Sequence, residues 1–287
     1  MFIVPISVIL FFRLTNVRTS KNLLNYMNLD LTNKNALVCG STAGIGKATA
    51  IQLAKLGATV TLFARDEEKL KETLIELPHD KGQKHNYYVA DFTNPQEVGE
   101  KARIAASNKT IHILVNNTGG PKGGPIFSAE AQEFEKAFAM HVICNQLLVQ
   151  AVVQGMKDAD YGRIINIIST SVKQPIDNLG VSNTIRGAVS SWSKTLANEL
   201  GQFGITVNNV LPGFTATERL ENIVENAAKR MDKSEKEASE FMKNLVPARR
   251  FAQPGEIANA VAFLASEAAS YINGVNLPVD GGRTKSL

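Results

Sequence analysis

Ala36-Leu37-Val38-Cys39-Gly40-Ser41-Thr42-Ala43-Gly44-Ile45-Gly46 decides the reading of this chain. A short apolar run stops at a glycine, glycines return four and six positions later, and Lys47 to Leu56 carries on with helical periodicity. Glycines so placed permit a tight turn and let the main chain come close to a pyrophosphate. The helix start behind them offers amide donors and the positive end of its dipole. A glycine triplet alone is weak evidence; a strand before it and a helix after it make a nucleotide cradle the better reading than a bare turn.

Working outward, six further strand-like apolar runs follow: Thr59 to Phe63, Asn86 to Ala90, Ile111 to Asn116, Arg163 to Ile168, Ile205 to Leu211 and Val275 to Val279. Several are continuously apolar rather than alternating, as strands covered on both faces are, and helical patterns separate them. The expected fold class is α/β: one Rossmann-type, doubly wound parallel sheet of about seven strands with helices on both faces, spanning 27–287 without a linker. Thr217 to Arg250 interrupts the rhythm with two charged helical patterns, Ala216 to Met231 and Ser234 to Leu245. Segment 217–250 is therefore either a solvated helical pair or a lid over a substrate cleft.

The 287 residues are 44% apolar and 20% charged, with 31 basic and 27 acidic side chains, an ordinary globular composition. Arg13, Arg18 and Lys21 lie in an acid-free leader, and beyond it the two signs nearly balance, which argues against a nucleic-acid partner. Residues 1–26 read as an N-terminal extension: its apolar run to Phe12 is shorter than the ~20 residues of a membrane span. Its charges follow that run, where a secretory signal puts them first, so an organellar presequence, a peripheral contact or a second start at Met27 remain open. Cys39 and Cys144 give neither a disulfide framework nor a zinc spacing; buried thiols in a reducing, cytoplasmic setting are expected, with no metal site.

The glycine spacing resembles that of the short-chain dehydrogenase/reductase family, and further motifs at strand ends carry the resemblance. They are Asp91, Asn116-Asn117-Thr118-Gly119, Asn166-Ile167-Ile168-Ser169, Pro212-Gly213 with Thr217, and Asp280-Gly281-Gly282. The ketoacyl-reductase-like branch is the most similar. Cys39 and Thr118 replace the family's usual Thr and Ala. The resemblance implies a nicotinamide dinucleotide held by Gly40, Ser41, Thr42, Gly44, Ile45 and Gly46. Asp91 and Phe92 would flank the adenine, Asn117, Thr118 and Gly119 would meet its ribose, and Pro212, Gly213, Thr215 and Thr217 would lie beside the nicotinamide. Where the family's NAD-selecting carboxylate would stand there is Ala64, followed by Arg65, whose guanidinium suits a 2′-phosphate. NADP(H) is expected over NAD(H), unless Arg65 pairs with Asp66 or Glu67.

The family's catalytic pattern is broken. Ser169 matches its serine, but Ser182 and Arg186 stand where the resemblance places Tyr-x-x-x-Lys, and His141 stands where it places Asn. An alkyl hydroxyl is a far weaker acid than a phenol, so Ser182 does not simply replace a tyrosine. Arg186 can hold the cofactor ribose and a developing oxyanion but has no proton to lend. His141 is the first replacement acid and Lys173 the second, with reduction strongest at mildly acidic pH. Tyr161 and Tyr271 fall outside the matching segment and are expected to pack.

Two functions stay open: an oxidoreductase acting on a small carbonyl or alcohol (3-oxoacyl-reductase-like) with a nonstandard proton donor, or an NADP(H)-binding sensor or assembly protein without turnover. A Rossmann-like methyltransferase fits the glycine spacing less well. The resemblance also implies a homotetramer or homodimer. Leu147, Leu148, Val152, Val189, Trp192 and Leu196, in helical patterns Gln132 to Met156 and Ser182 to Gln202, are expected to exceed what one chain's core requires.

Overall fold

The computed structural model describes residues 27–286, so the N-terminal extension lies outside the described residues. Seven strands form one all-parallel sheet in the order β3-β2-β1-β4-β5-β6-β7. They are β1 (Asn35–Cys39), β2 (Thr59–Ala64), β3 (Asn86–Val89), β4 (Ile113–Asn116), β5 (Gly162–Ile167), β6 (Ile205–Pro212) and β7 (Asn276–Val279). Helices α1 (Gly44–Lys55), α2 (Glu67–Glu76), α3 (Pro95–Asn108), α4 (Ala131–Phe138), α5 (Cys144–Asp158), α6 (Gly180–Leu200) and α9 (Pro254–Ala265) cross between or flank them. α7 (Glu218–Met231) and α8 (Glu235–Asn244) form the pair inserted after β6.

Alternate residues of each strand feed different cores, which is why the runs are continuously apolar. Ala36, Val38, Val60, Leu62, Ile113 and Ile165 pack with Leu53, Ile257 and Val261 of α1 and α9. Leu37, Phe63, Leu114 and Ile164 pack on the other face with Val98, Leu148 and Val152 of α3 and α5. Chain order reverses between β1 and β4, so the loops leaving their carboxyl ends open a crevice there, where ligands of doubly wound sheets sit.

The inserted pair carries its own small core of Leu220, Ala227, Ala228, Ala238 and Met242 against Phe214 and Phe251. Main-chain bonds Ala216 N–H to Ala252 and Ala252 N–H to Phe214 tie it to the sheet end. Two expectations need correction. Tyr161 does pack, donating its hydroxyl to the Ala265 carbonyl at 2.6 Å, but Tyr271 is fully exposed. Leu148, Val152 and Val189 are buried within one chain and so add nothing to a surplus apolar face, whereas Leu147, Trp192 and Leu196 are only partly buried; exposed apolar side chains on that flank include Ile126, Phe127, Phe138 and Ile143. Among the described residues one helical stretch, Ala131–Asp158, is long and apolar enough to cross a membrane, and its α5 part packs on α3, β4 and β5.

Candidate active site

The glycine loop is closed on itself. Gly40 has φ +57°, a backbone that favours glycine, and a Cβ on Gly46 would run into the Gly40 carbonyl and stand 2.7 Å from Asn117 Nδ2. Asn117 Nδ2 donates to the Cys39 and Gly40 carbonyls at 3.2 Å each, and Ser41, wholly buried, accepts the Phe63 N–H at 3.0 Å on Oγ. The side chains of Asn117 and Ser41 thus brace the loop from behind, leaving main chain to meet a ligand. α1 begins after Ala43, which offers no capping side chain, and its first turn carries no acid. By contrast α2 is capped by Asp66 and α3 by Asn94, each with acids in its first turn. The unmatched amides of α1 fit a pyrophosphate.

Around this cradle, Thr42 and Ile45 are partly exposed on the loop, and a Cβ on Gly119 would meet nothing within 4 Å. Asp91 accepts the Thr93 N–H at 2.9 Å, which with nearby Arg65 holds its carboxyl below the usual range despite desolvation. Phe92 is buried edge-on to Phe63 at 6.3 Å, so its ring stays in the core rather than flanking an adenine. Arg65 is exposed at the end of β2, and Asp66 and Glu67 pair instead with Lys69 and Lys71.

The exit of β6 folds back over the loop. Gly213 donates its N–H to Val279 at 3.0 Å, Thr215 is buried with its hydroxyl on the Gly213 carbonyl, and Thr217 sets its methyl 3.0 Å from where a Gly44 Cβ would be. Pro212 closes the strand between them.

The residues expected to be catalytic lie where the exit of β5 and the start of α6 meet the turn between α4 and α5. Ser169 lies two residues beyond β5 and caps a 3₁₀ turn, accepting the Ser171 N–H at 3.1 Å. Ser182 and Arg186 lie one turn apart on the buried face of α6, Arg186 only 7% exposed and donating from Nη1 to the Ile167 carbonyl at 2.9 Å. Lys173 follows the 3₁₀ turn, its carbonyl accepting from Ser286 Oγ; the charges that act on His141 come from Arg186 and Arg219.

His141 does not sit on a continuous helix. It lies in a π-helical turn, Ala139–Ile143, between α4 and α5, packed against α6. The ring is 2% exposed, and Nε2 has no hydrogen-bond partner. Burial first, then Arg186 and Arg219, push its pKa down to about 2, against a hydrogen bond to the Gly119 backbone that works the other way. A ring N–H turned toward the Gly119 carbonyl would account for that influence and leave the Nε2 lone pair bare. Burial and the two neighbouring guanidiniums thus favour the neutral ring over the expected imidazolium acid and leave Nε2 free to accept a hydrogen bond. Arg219, which the sequence reading missed, is the second residue of α7; its guanidinium rests on Gly120, with Nη2 2.6 Å from where a Cβ would stand. Burial first, then Arg219, lowers the pKa of Arg186 to about 10.

A family profile described as enoyl-(acyl carrier protein) reductase matches residues 40–284. This chain belongs to the short-chain dehydrogenase/reductase family. A 3-oxoacyl-[acyl-carrier-protein] reductase of Rickettsia bellii is 34% identical over 256 residues, covering 88% of this chain and 98% of the relative. The L-sorbose reductase of Gluconobacter frateurii, solved with NADPH and L-sorbose, superposes with a TM-score of 0.85 at 31% identity, covering 91% of this chain and all of that one. YwfH, an NADPH-dependent reductase involved in bacilysin biosynthesis, gives 0.84 at 27% identity over 88% of this chain and 99% of its own. Like those relatives, this short-chain dehydrogenase/reductase is one parallel α/β sheet flanked by helices.

Proposed function

We propose that the chain is an NADP(H)-dependent oxidoreductase interconverting a small carbonyl and its alcohol, with Arg186, Ser169 and His141 serving in place of a tyrosine acid. The uncapped, acid-free first turn of α1, set over a glycine loop that Asn117 and Ser41 already hold shut, carries this reading. The dinucleotide would rest on Gly40 to Gly46 and the Pro212 to Thr217 segment and, when bound, supply or take up a hydride. Arg65, exposed and outside the ion pairs of its neighbours, is available to a 2′-phosphate.

At the reacting oxygen, Ser169 orients the substrate and Arg186 stabilises negative charge as it develops, a guanidinium fixed in advance on the Ile167 carbonyl. His141 positions the proton rather than carrying it: its open Nε2 accepts a hydrogen bond from the substrate hydroxyl or from a water, and the proton taken up on reduction or released on oxidation is exchanged with solvent. Segment 217–250 would cover the substrate as a lid, and assembly into dimers or tetramers would use the flank of Phe127, Phe138 and Ile143.

Calorimetric titration with NADPH and NADH, followed by NADPH consumption against a panel of small carbonyls, tests this reading. Tighter binding of NADPH with turnover of at least one carbonyl is expected. Binding without any turnover would favour the sensor, and no binding would remove both.

A further inference from the structure

The fully buried Arg163 is given an acid, meeting Glu267 at 3.5 Å, and exposed Arg250 meets Glu256 at 2.6 Å. The catalytic corner breaks that habit. Among the described residues no carboxylate lies within ion-pair range of Arg186 or Arg219, and no acid contributes to the electrostatics of Arg186, Arg219 or His141. The Arg219 guanidinium rests on Gly120, next to the Gly119 backbone that His141 meets; the turn of His141 packs on α6, which carries Arg186; and His141, almost wholly buried, leaves Nε2 without a partner there. Two like charges held together in a partly desolvated place are unfavourable until an anion joins them. A guanidinium fork matches the two oxygens of a carboxylate.

We propose that Arg186 and Arg219 form an anion subsite beside the reacting carbon, so that the substrate is a small oxo or hydroxy acid whose carboxylate is held between the two guanidiniums. The inference rests on the oxidoreductase reading of the same cleft and names its substrate class. The other anion that could come here is the dinucleotide pyrophosphate, since Thr217 brings the start of α7 close to Gly44. Position favours the substrate: the Arg219 guanidinium rests on Gly120, beyond the residues that brace the loop and toward His141, while α1 already offers its amides to the pyrophosphate. A carboxylate in the subsite would also offset the Arg186 and Arg219 charges beside His141, though not the burial that lowers its pKa most, so a neutral analogue loses its anchor.

The test uses protein saturated with NADP+ and titrated calorimetrically with malonate and with its neutral analogue malonamide. Malonate should bind and malonamide should not. Arg219→Gln should weaken malonate about tenfold or more, the size of a charge-assisted contact. Gly120→Ala, whose Cβ takes the seat of the guanidinium, should weaken it likewise without removing the charge. NADP+ affinity should stay within about twofold in both variants if the subsite is independent of the dinucleotide. Equal binding of the two probes, or no malonate binding at all, overturns the subsite. A parallel loss of NADP+ and malonate affinity in Arg219→Gln assigns the anion to the pyrophosphate and overturns it equally. Malonate binding without turnover of any carbonyl keeps the subsite and sinks the oxidoreductase reading; turnover that prefers neutral ketones to 2-oxo acids of equal carbon number does the reverse.

Discussion

At the β1 end of the sheet's carboxyl edge, the polar groups that shape the cleft are matched within the chain: Ser41 Oγ to Phe63, Asn117 Nδ2 to Cys39 and Gly40. At the β5 end, His141 Nε2 is bare, and Arg186 and Arg219 stand without acids. The two ends are joined by a ladder of asparagines. Asn116 donates to Asn166 at 2.8 Å, Asn166 to Asn209 at 2.9 Å, and Asn209 to Asn276 at 2.7 Å and to Ser193 at 2.6 Å. A dinucleotide is met largely by main chain and dipole, so its cradle can be finished in advance. A reacting centre needs donors and lone pairs that only the substrate completes. The ladder ties β4 to β7 side by side, running from the carboxyl end of β4 through the middle of β6 to the first residue of β7.

The sharpest way to break this contrast is Arg186→Gln. If the unmatched guanidinium stabilises charge only as it develops, kcat should fall by about 10²–10³. NADPH affinity, measured by calorimetry, should change far less, and Arg186→Lys should recover part of the rate because it restores a charge without the fork. An unchanged kcat would mean that the catalytic corner is as inert as the braces behind the glycine loop.

Gly46→Ala attacks the finished half. Its Cβ must enter the Gly40 carbonyl and press on Asn117, backbone and brace together rather than the loose end of a side chain. A loss of about 1–3 kcal/mol in urea-unfolding stability is expected, with weaker NADPH binding. Retained stability together with retained binding would show that the loop is not closed against itself.

The contrast also explains what could be read from sequence. The inner strands were legible because they feed a core on both faces and are therefore continuously apolar, the half-buried edge strands β3 and β7 less so, and the cradle was legible because its geometry requires glycine at fixed spacing. The ladder was not: Asn116, Asn166, Asn209 and Asn276 fall in line only once the register of four strands is known. The π-helical turn at His141 leaves the apolar periodicity of its flanks intact and so looks like unbroken helix. Arg219 acquires its place from Gly120, far away in the chain, and read alone it belonged to a charged surface pattern.

Arg65 sharpens the finished half from its outer rim. It is exposed, so its attraction for a 2′-phosphate is screened by solvent and salt and its effect is smaller. Arg65→Ala should reduce the preference for NADPH over NADH about tenfold, read as the ratio of the two dissociation constants at fixed ionic strength. Equal affinities in the unmodified protein would put cofactor choice elsewhere.

The smallest effect concerns the buried ring of His141. Its pKa is near the ordinary 6.5 in the unfolded chain and about 2 in the folded one, lowered by burial and then by the two arginines. Between those values the unfolded chain holds one proton more than the folded chain, so stability is full above about pH 6.5 and declines as the pH falls. At pH 6 the difference is only about 0.8 kcal/mol, growing toward about 2 kcal/mol at pH 5. His85 and His112, also lowered chiefly by desolvation, add losses of the same sign, so the measurement is a difference. Urea midpoints of the unmodified protein and of His141→Asn at pH 7.5 and pH 6 should diverge as the pH falls, the variant losing less. If the two keep the same pH dependence, the ring is protonated in the folded protein as it is in the unfolded one. His141 would then be the imidazolium acid after all, and the open lone pair that distinguishes the catalytic corner would not exist.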